Sequence, residues 1–254
     1  MPGIKIQKVG LEAILGLRSF FLQENNFQIR YNACHERGWS DSYLVTYDEA
    51  IIGYGAVKGN EQLSDRNAIF EFYIIPSHRN LSFLVFRDFL EISQVSYIQC
   101  QSNDRLLTGM IYQFGKDINA DVVLFEAGFT TNISVGKAVF RLRNEQDAVF
   151  EEHEDGKGTY VLALNGTIVA SGGFLLHYNP PFADLYMEVN TSYRKMGFGS
   201  LIIQELKKQC YLSGRVPAAR CNMDNVASRA TLLKAGMEIA GFMLEGKIIR
   251  PGQP

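Results

Sequence analysis

The chain has 254 residues, of which 46% are hydrophobic and 20% charged, and its formal net charge at pH 7 is −2. A chain of this length and composition can form one large domain or two modest domains with apolar cores. The near-neutral charge gives no electrostatic reason to bind nucleic acid or an anionic membrane. The N-terminus lacks a secretory pattern, and no stretch approaches the ~18 to 20 apolar residues of a membrane span. We therefore expect a soluble, cytoplasmic protein.

The cysteines and histidines give no sign of a disulfide framework or a metal site. No two cysteines form a Cys-x-x-Cys pair, and the histidines are not paired at the spacing of metal ligands. These residues are Cys34, Cys100, Cys210 and Cys221, and His35, His78, His153 and His177. We predict no metal, and we predict thiols that are reduced and mostly buried.

The first half of the chain alternates between strand and helix patterns. Asp48 and Glu49 separate two strands as a hairpin turn, and Pro76 ends a further strand because it cannot donate to a sheet ladder. The predicted strands are Ile4–Val9, Tyr43–Tyr47, Ile51–Lys58, Ala68–Ile75, Tyr97–Gln101 and Val122–Phe129. The predicted helices are Leu11–Leu22, Phe83–Ile92 and Leu106–Phe114.

The second half repeats this order of elements. Asn165 and Gly166 are typical of a two-residue hairpin turn, and helices are predicted after Gly199 and after Asn225. The predicted strands are Val139–Arg143, Thr159–Leu164, Thr167–Leu176, Asp184–Val189, Ala218–Met223 and Glu238–Leu244. Because the elements recur with a period of about 115 to 122 residues, we predict an internal duplication with domains at residues 1–135 and 136–254.

The stretch Ala183–Ser200 organises the second half. Apolar residues alternate along 185–189, which is typical of a strand with two different faces. Arg194, Gly197 and Gly199 then precede a helical pattern. Two glycines remove the side chains that would hold a ligand away from the backbone, and the first turn of a helix presents unpaired N–H groups. The loop therefore predicts an anion site suited to a pyrophosphate.

Two motifs resemble those of the GNAT acetyltransferase superfamily. Residues 189–199 form Val-x4-Arg-x2-Gly-x-Gly, which is similar to its acetyl-CoA-binding motif. Residues 225–237 are similar to its Asn-x-x-Ala-x-x-Leu-Tyr-x-Lys-x-Gly-Phe helix, with the Asn, Lys and Gly in register. The resemblance implies an α/β (α+β) fold with two GNAT-like mixed-sheet domains in tandem, each a largely antiparallel sheet flanked by helices.

The resemblance also implies which residues bind acetyl-CoA. Backbone groups near Met187 and Val189 would hold the pantetheine, on a strand that a bulge splays from the strand Ala218–Met223. The glycine loop would hold the pyrophosphate, and Asn225 would cap its helix, contact the pantetheine, or do both in turn. The full implied set is Met187, Val189, Arg194, Lys195, Met196, Gly197, Phe198, Gly199, Ser200 and Asn225.

The first copy differs from the second where the second carries its glycines. Arg79 follows its strand as Arg194 does, but Ser82 and Leu84 stand at the places of Gly197 and Gly199. Their side chains would crowd an approaching pyrophosphate and disfavour a left-handed backbone. We predict that this copy has lost the cofactor, and that it is either a scaffold or a wall of the acceptor pocket.

Glu188 is our candidate for the general base of an acetyl transfer. It shares the face opposite to the apolar residues with Tyr186 and with Asp184, which is a weaker candidate. A water that relays the proton is an equal alternative. Leu232 stands where many family members carry a Tyr that protonates the departing thiolate. The groups available to replace that donor are Ser228, Tyr160, Tyr178 and Tyr193, and otherwise the thiolate leaves through water.

The resemblance implies an acetyltransferase acting on a primary amine of a small molecule or peptide. The acidic interval Asn144–Lys157 is too short to wall the acceptor site. Residues of the first half, or of a second subunit, would then close it, so the protein is expected to be a monomer or a homodimer. Leu232 and the altered first copy favour an alternative, a non-catalytic acyl-CoA-binding or sensor protein. A purely structural module would leave the glycines unexplained.

Overall fold

The computed structural model describes residues 3–25, 27–28, 32–147, 150, 158–176 and 179–250. The chain forms two compact units. The first unit contains Met1–Phe27, Tyr31–Asp121 and Gly241–Pro254, and the second contains Gln28–Arg30 and Val122–Ala240. Tyr178 and residues 151–157 of the predicted acidic interval lie outside the described residues.

The elements follow the predicted order along the chain. The strands are β1 (Ile4–Val9), β2 (Ser40–Tyr47), β3 (Ala50–Lys58), β4 (Ala68–Ile74), β5 (Tyr97–Gln101), β6 (Gly115–Ala127), β7 (Val139–Leu142), β8 (Tyr160–Leu164), β9 (Thr167–Leu175), β10 (Phe182–Val189), β11 (Val216–Asn222) and β12 (Met237–Ile248). The α-helices are α1 (Leu15–Glu24), α2 (Asn32–Glu36), α3 (Ser82–Ser93), α4 (Arg105–Phe114), α5 (Phe198–Leu212) and α6 (Val226–Lys234).

Three elements differ from the prediction. The predicted helix at 11–22 is a 3₁₀ turn at Leu11–Ala13 followed by α1. Strand β6 begins at Gly115 and not at Val122, because the backbone becomes extended immediately after α4. Helix α2 was not predicted, since its five residues are too few to show a helical period.

Each unit is built on a largely antiparallel sheet flanked by helices. In the first unit the strand order is β1-β2-β3-β4-β5-β12-β6, with residues 241–248 of β12 and 115–121 of β6. In the second unit the order is β12-β6-β11-β10-β9-β8-β7, with residues 237–240 of β12 and 122–127 of β6. The predicted mixed-sheet fold class is therefore confirmed.

Each compact unit contains more than one segment of the chain, so no single boundary in the sequence separates the two units. The chain leaves the first unit within β6 and returns to it within β12, where residues 243–247 pair antiparallel with β5. Leu244 and Ile248 are buried in the apolar core of the first unit. Residues 1–135 and 136–254 remain our proposal for the two duplicated segments.

Both sheets contain one parallel pair of strands that separates. In the first unit, β4 pairs with β5 only at Ala68 and Ile69. In the second unit, β10 pairs with β11 only from Phe182 to Asp184. Beyond these residues the two strands of each pair no longer hydrogen-bond in register, so a cleft opens between them. The recurrence of this cleft supports the predicted duplication.

The first unit also contains a buried ionic cluster centred on Glu71 of β4. The Glu71 carboxylate is fully buried and accepts hydrogen bonds from Arg18 Nε and Nη2 at 3.0 Å and from Tyr54 Oη at 2.9 Å. His35 Nε2 lies 3.1 Å from the same carboxylate. Burial alone would raise the pKa of Glu71, but Arg18 and His35 hold that pKa well below its ordinary value. The cluster ties α1 and α2 to the sheet.

Candidate functional site

The cleft between β10 and β11 holds a cavity of about 810 Å³, within the range of small-molecule sites. Its walls are the end of β10, the loop before α5, the first turn of α5, and one face of α6. The structure brings together Met187, Glu188, Val189, Arg194, Lys195, Gly197, Phe198, Gly199, Ser200 and Asn225 along this cavity. Met196, which was also predicted to bind, is half exposed and does not line it.

The splay of β10 arises without the bulge that the resemblance implied. Strand β10 keeps an uninterrupted antiparallel register with β9 from Asp184 to Val189. Its separation from β11 after Asp184 therefore involves no residue inserted against β9. On the side that faces β11, the backbone groups of Met187 and the N–H of Val189 are left for another partner, while Val189 O accepts from Arg194 Nε.

The loop before α5 has an unusual backbone that glycine makes possible. Gly197 has φ +92° and Lys195 has φ +64°, both in the left-handed region. Arg194 Nε donates to Val189 O at 3.2 Å, which ties the loop back to the end of β10. Helix α5 begins at Phe198 and receives no side-chain cap from Gly197. Its first N–H groups therefore border the cavity without a helical partner, as an anion site requires.

Gly199 and Ser200 have a second role, because they bring α5 close to α6. A Cβ at Gly199 would lie 3.0 Å from Thr231 Cγ2, which is tighter than an ordinary contact. The buried Ser200 Oγ donates to Thr231 O at 3.2 Å. Asn225 caps α6, since its Oδ1 accepts from Ser228 N at 2.9 Å. Close packing of the two helices thus accounts for part of the sequence motif.

The two candidate bases on β10 have different surroundings. Glu188 is partly exposed and lines the cavity. Asp184 is buried, and its carboxylate lies 3.2 Å from Arg220 Nε on β11. This ion pair gives Asp184 a structural role in joining the strands, so Glu188 is the better placed of the two.

The predicted proton donors are only partly brought to the cavity. Leu232 is buried and does not line the cavity, whereas Tyr193 and Ser228 do line it. Ser228 also hydrogen-bonds with the Cys221 thiol, and burial raises the pKa of that thiol. Tyr160 stacks on Phe140 at a centroid distance of 5.1 Å and is absent from the lining. Of the described candidates for the proton donor, Tyr193 and Ser228 are therefore the two that line the cavity.

The first unit repeats the cleft without the anion loop. Its cavity, of about 550 Å³, lies between Tyr73 of β4 and the start of α4. Arg79 Nε donates to Ile74 O at 3.2 Å, with the same spacing of five residues and the same distance as in the second unit. Pro76–Leu81 forms a 3₁₀ helix there, and α3 starts directly at Ser82. This unit therefore lacks the left-handed glycine loop.

The two units cap the corresponding helices α4 and α6 alike at the start and differently at the end. Asp104 is the N-cap of α4, as Asn225 is of α6, because the Asp104 Oδ1 accepts from Leu107 N at 3.0 Å. Gly115 is extended, with φ −110°, whereas Gly236 is left-handed, with φ +77°. Helix α4 thus runs straight into a strand, while α6 ends in a glycine turn.

Metal-ligating residues, cysteines and helix lengths were compared with the predictions as well. Among the described residues, no three His, Cys, Asp or Glu side chains are grouped closely enough to hold a metal ion. All four cysteines are buried, as predicted. Within the same part of the chain, every helix is too short or too polar to cross a membrane.

Comparisons with known proteins identify both units as acetyltransferase-type domains. Residues 11–128 match the model of an acetyltransferase (GNAT) domain, and residues 130–237 match that of the acetyltransferase (GNAT) family. The chain therefore consists of two GNAT domains in tandem and belongs to the GNAT acetyltransferase superfamily. This family generally uses acyl-CoA as the donor. No curated protein sequence matches the chain.

Solved structures show the same fold at low sequence identity. A GNAT-family acetyltransferase from Colwellia psychrerythraea has a TM-score of 0.76 and 14% identity, covering 96% of this chain and 100% of that one. A tandem GNAT protein from the clavulanic acid biosynthesis pathway has a TM-score of 0.55 and 9% identity, covering 96% and 98%. A GCN5-related N-acetyltransferase from Sphaerobacter thermophilus has a TM-score of 0.54 and 15% identity, covering 84% and 82%.

Proposed function

We propose that the second unit transfers an acetyl group from acetyl-CoA to a primary amine of a small molecule or peptide. The observation that carries this proposal is the convergence of the glycine loop, the N-terminus of α5 and Glu188 on one cavity. GNAT membership supports acyl transfer, while the acetyl group and the amine acceptor are our inference from the site.

Successive parts of the cavity suit the phosphates, the pantetheine arm and the thioester of acetyl-CoA. Arg194, Lys195 and Lys234 line it and are positive, which favours the phosphates beside the first turn of α5. The backbone groups of Met187 and the N–H of Val189, on the side of β10 that faces β11, suit an extended pantetheine arm, which can hydrogen-bond there as an additional strand does. The thioester would then lie near Glu188. Acetyl-CoA supplies the activated acetyl group, and the protein supplies its position and the proton transfers.

The reaction needs two proton transfers that the cavity residues can provide. The amine nitrogen forms a bond to the acetyl carbonyl carbon while the carbon–sulfur bond breaks, and the amine loses one proton. Glu188 accepts that proton, directly or through water. The departing thiolate takes a proton from Tyr193, Ser228 or water, since the buried Leu232 has none to give. Coenzyme A is a good leaving group, so this substitution slows the step without abolishing it.

One residue of the first half of the chain packs within the second unit. Gln28 belongs to the second unit and is buried, and its Nε2 donates to Glu126 Oε2 on β6 at 3.2 Å. Glu126 pairs with Ala218, which pairs with Asp184, so these side chains share one face of the sheet. Glu188 lies on the same face by alternation. Gln28 thus contacts the face of the sheet that also carries Glu188, and we propose that residues of the first half help to wall the acceptor site.

The proposal is tested by titrating acetyl-CoA into the protein in a calorimeter, with Gly197→Leu as the loop variant. The wild type is expected to bind about one acetyl-CoA per chain, and Gly197→Leu is expected to bind at least tenfold more weakly. A side chain at φ +92° is strained, by roughly 1–2 kcal/mol, and its Cβ would lie 3.2 Å from Val135 Cγ2.

Gly214→Leu is the matched control for this titration. Gly214 is also left-handed, with φ +75°, but a Cβ there meets nothing within 4 Å and the residue does not line the cavity. The Gly214→Leu variant therefore carries the same kind of backbone strain as Gly197→Leu. Its affinity for acetyl-CoA should equal that of the wild type. Equal acetyl-CoA affinity in all three proteins would show that the glycine loop is not part of the binding site.

Release of free thiol separates the enzyme from the alternative. An acetyltransferase releases coenzyme A when a suitable amine is present, whereas an acyl-CoA sensor binds acetyl-CoA and releases none. The buried Leu232, in place of a proton donor, is the observation that favours a sensor. A panel of primary amines and peptide N-termini, assayed with a thiol reagent, decides between them.

A further inference from the structure

Residues 128–138 connect β6 to β7 and contact α5 and the end of α6. We call this segment the strap. It contains no helix and no strand, yet three sets of contacts fix it to the second unit. One set lies at each end of the strap and one in the middle. The strap residues themselves lie outside the two sequence motifs.

The start of the strap is held by Lys207, a buried lysine on α5. Its Nζ donates to Phe129 O at 2.8 Å, to Gly236 O at 2.9 Å and to Ala235 O at 3.1 Å. Three carbonyl oxygens thus match the three N–H donors of an ammonium group. Gly236 O also accepts from the backbone N–H groups of Gly128 and Phe129. Lys207 therefore joins α5, the end of α6 and the strap.

The middle of the strap is held by Gln204, one turn earlier on α5. The Gln204 Oε1 accepts from Ile133 N at 2.6 Å and from Thr131 Oγ1 at 2.8 Å. The Gln204 Nε2 donates to Ile133 O at 3.2 Å. The side-chain amide thus pairs with one residue of the strap in both directions, as a neighbouring strand would. Because Gln204 is buried, these bonds replace water that the amide has lost.

The end of the strap meets the anion loop. Val135 Cγ2 lies 3.2 Å from the position of a Cβ on Gly197, so the valine packs against the backbone of that residue. Gly197 and Lys195 are both left-handed, and a glycine loses more conformational freedom on ordering than any other residue. Gly197 has no side chain with which to cap α5. Support from outside the loop therefore matters.

We infer that the strap positions the Gly197–Ser200 turn for the pyrophosphate, and that Lys207, Gln204 and Val135 are positioning residues for this purpose. The inference rests on the proposed function for its ligand, but the contact between strap and loop is independent of it. Because the strap meets the site at Gly197, in the loop proposed to bind the pyrophosphate, loss of the strap contacts should weaken ligands that carry a pyrophosphate and spare those that lack one.

The first test measures the loop in the ligand-free protein. Leu201 N donates to Gly197 O at 3.1 Å and forms the first backbone bond of α5, so its amide exchange reports the order of the loop. Exchange of the Leu201 amide, measured by NMR, should be about tenfold faster in Val135→Ala and in Lys207→Met. Val135→Ala is a mild change that breaks no hydrogen bond, and it keeps the test valid if Lys207→Met folds poorly.

Lys208→Met is the matched control, because Lys208 is the next residue on the same helix but is exposed and ion-paired with Glu205. It should leave Leu201 exchange unchanged. Wild-type exchange rates in both strap variants would overturn the inference, whatever the protein binds.

The second test compares two ligands by NMR titration, acetyl-CoA and S-acetylpantetheine, which has the thioester arm without the pyrophosphate. The strap variants are expected to weaken acetyl-CoA binding about tenfold, or roughly 1.4 kcal/mol, and to change S-acetylpantetheine binding less than twofold. Equal weakening of both ligands would show a general loss of structure and would overturn the inference. If the wild type binds neither ligand, the proposed function fails, while the exchange measurement still decides whether the strap orders the loop.

Discussion

Glu188→Gln is expected to lower the rate of acetyl transfer by about 10²–10⁴ while leaving the affinity for acetyl-CoA within twofold of the wild type. The amide keeps the shape of the side chain in the cavity but cannot accept the amine proton. The rate is measured from thiol release at saturating amine, and the affinity by calorimetry. The loss should shrink as the pH rises, because more of the amine is then already deprotonated.

Glu145→Gln is the control for charge, since Glu145 is an exposed carboxylate of the second unit. It removes the same charge from the same unit and should leave the rate unchanged. An unchanged rate in Glu188→Gln would assign proton transfer to water or another group. A large loss of acetyl-CoA affinity would instead make Glu188 part of the binding site.

Glu71→Ala is expected to destabilise the first unit by about 3–5 kcal/mol. The change leaves the Arg18 guanidinium buried without the carboxylate that it contacts at 3.0 Å, and it also removes the partner of Tyr54 and His35. Trp39, the single tryptophan of the chain, packs in a cluster of this unit with Cys34 and Phe70. Its fluorescence during urea unfolding therefore reports the first unit alone.

The same cluster predicts how stability depends on pH. The pKa of Glu71 is well below its ordinary value in the folded protein, so its contribution is present above the unfolded pKa, about 4.3. The contribution is lost as the pH falls below that value and through the folded pKa. Wild-type stability should therefore fall steeply with pH below 4.3, and Glu71→Gln should show a flatter profile there. Exposed Glu61→Gln is the control, and parallel profiles in all three proteins would contradict the role given to Glu71.

Local patterns predict the elements well where a single stretch of chain determines them. The strand, loop and helix at 183–200 follow from alternation, glycine and helical spacing, and each of these acts within a few residues. Every predicted binding residue except Met196 lines the cavity, and these residues were identified from the same stretch and from the cap of α6. The side chain of Met196 instead points to solvent, a detail that a motif does not encode.

The sequence does not indicate which distant residues pair with one another in the fold. Strand β12 is readable as a strand, but nothing in its residues indicates that it pairs with β5 in the first unit. Lys207 resembles any lysine near the end of a helix, and its burial depends on carbonyl groups from α6 and the strap. Glu71 did carry a signal, since a single carboxylate in an otherwise apolar strand needs a buried partner. The sequence did not show that this partner is Arg18.

The return of the chain to the first unit within β12 sets the order in which the protein can be made. Residues 1–121 leave the ribosome early, but β5 lacks its partner until residues 241–248 have been synthesised. At ~5–20 residues per second, the second unit takes roughly ten seconds to translate. During that time the first unit has an open sheet edge and a core without Leu244 and Ile248. A gene fragment that ends at residue 135 would leave that edge open permanently.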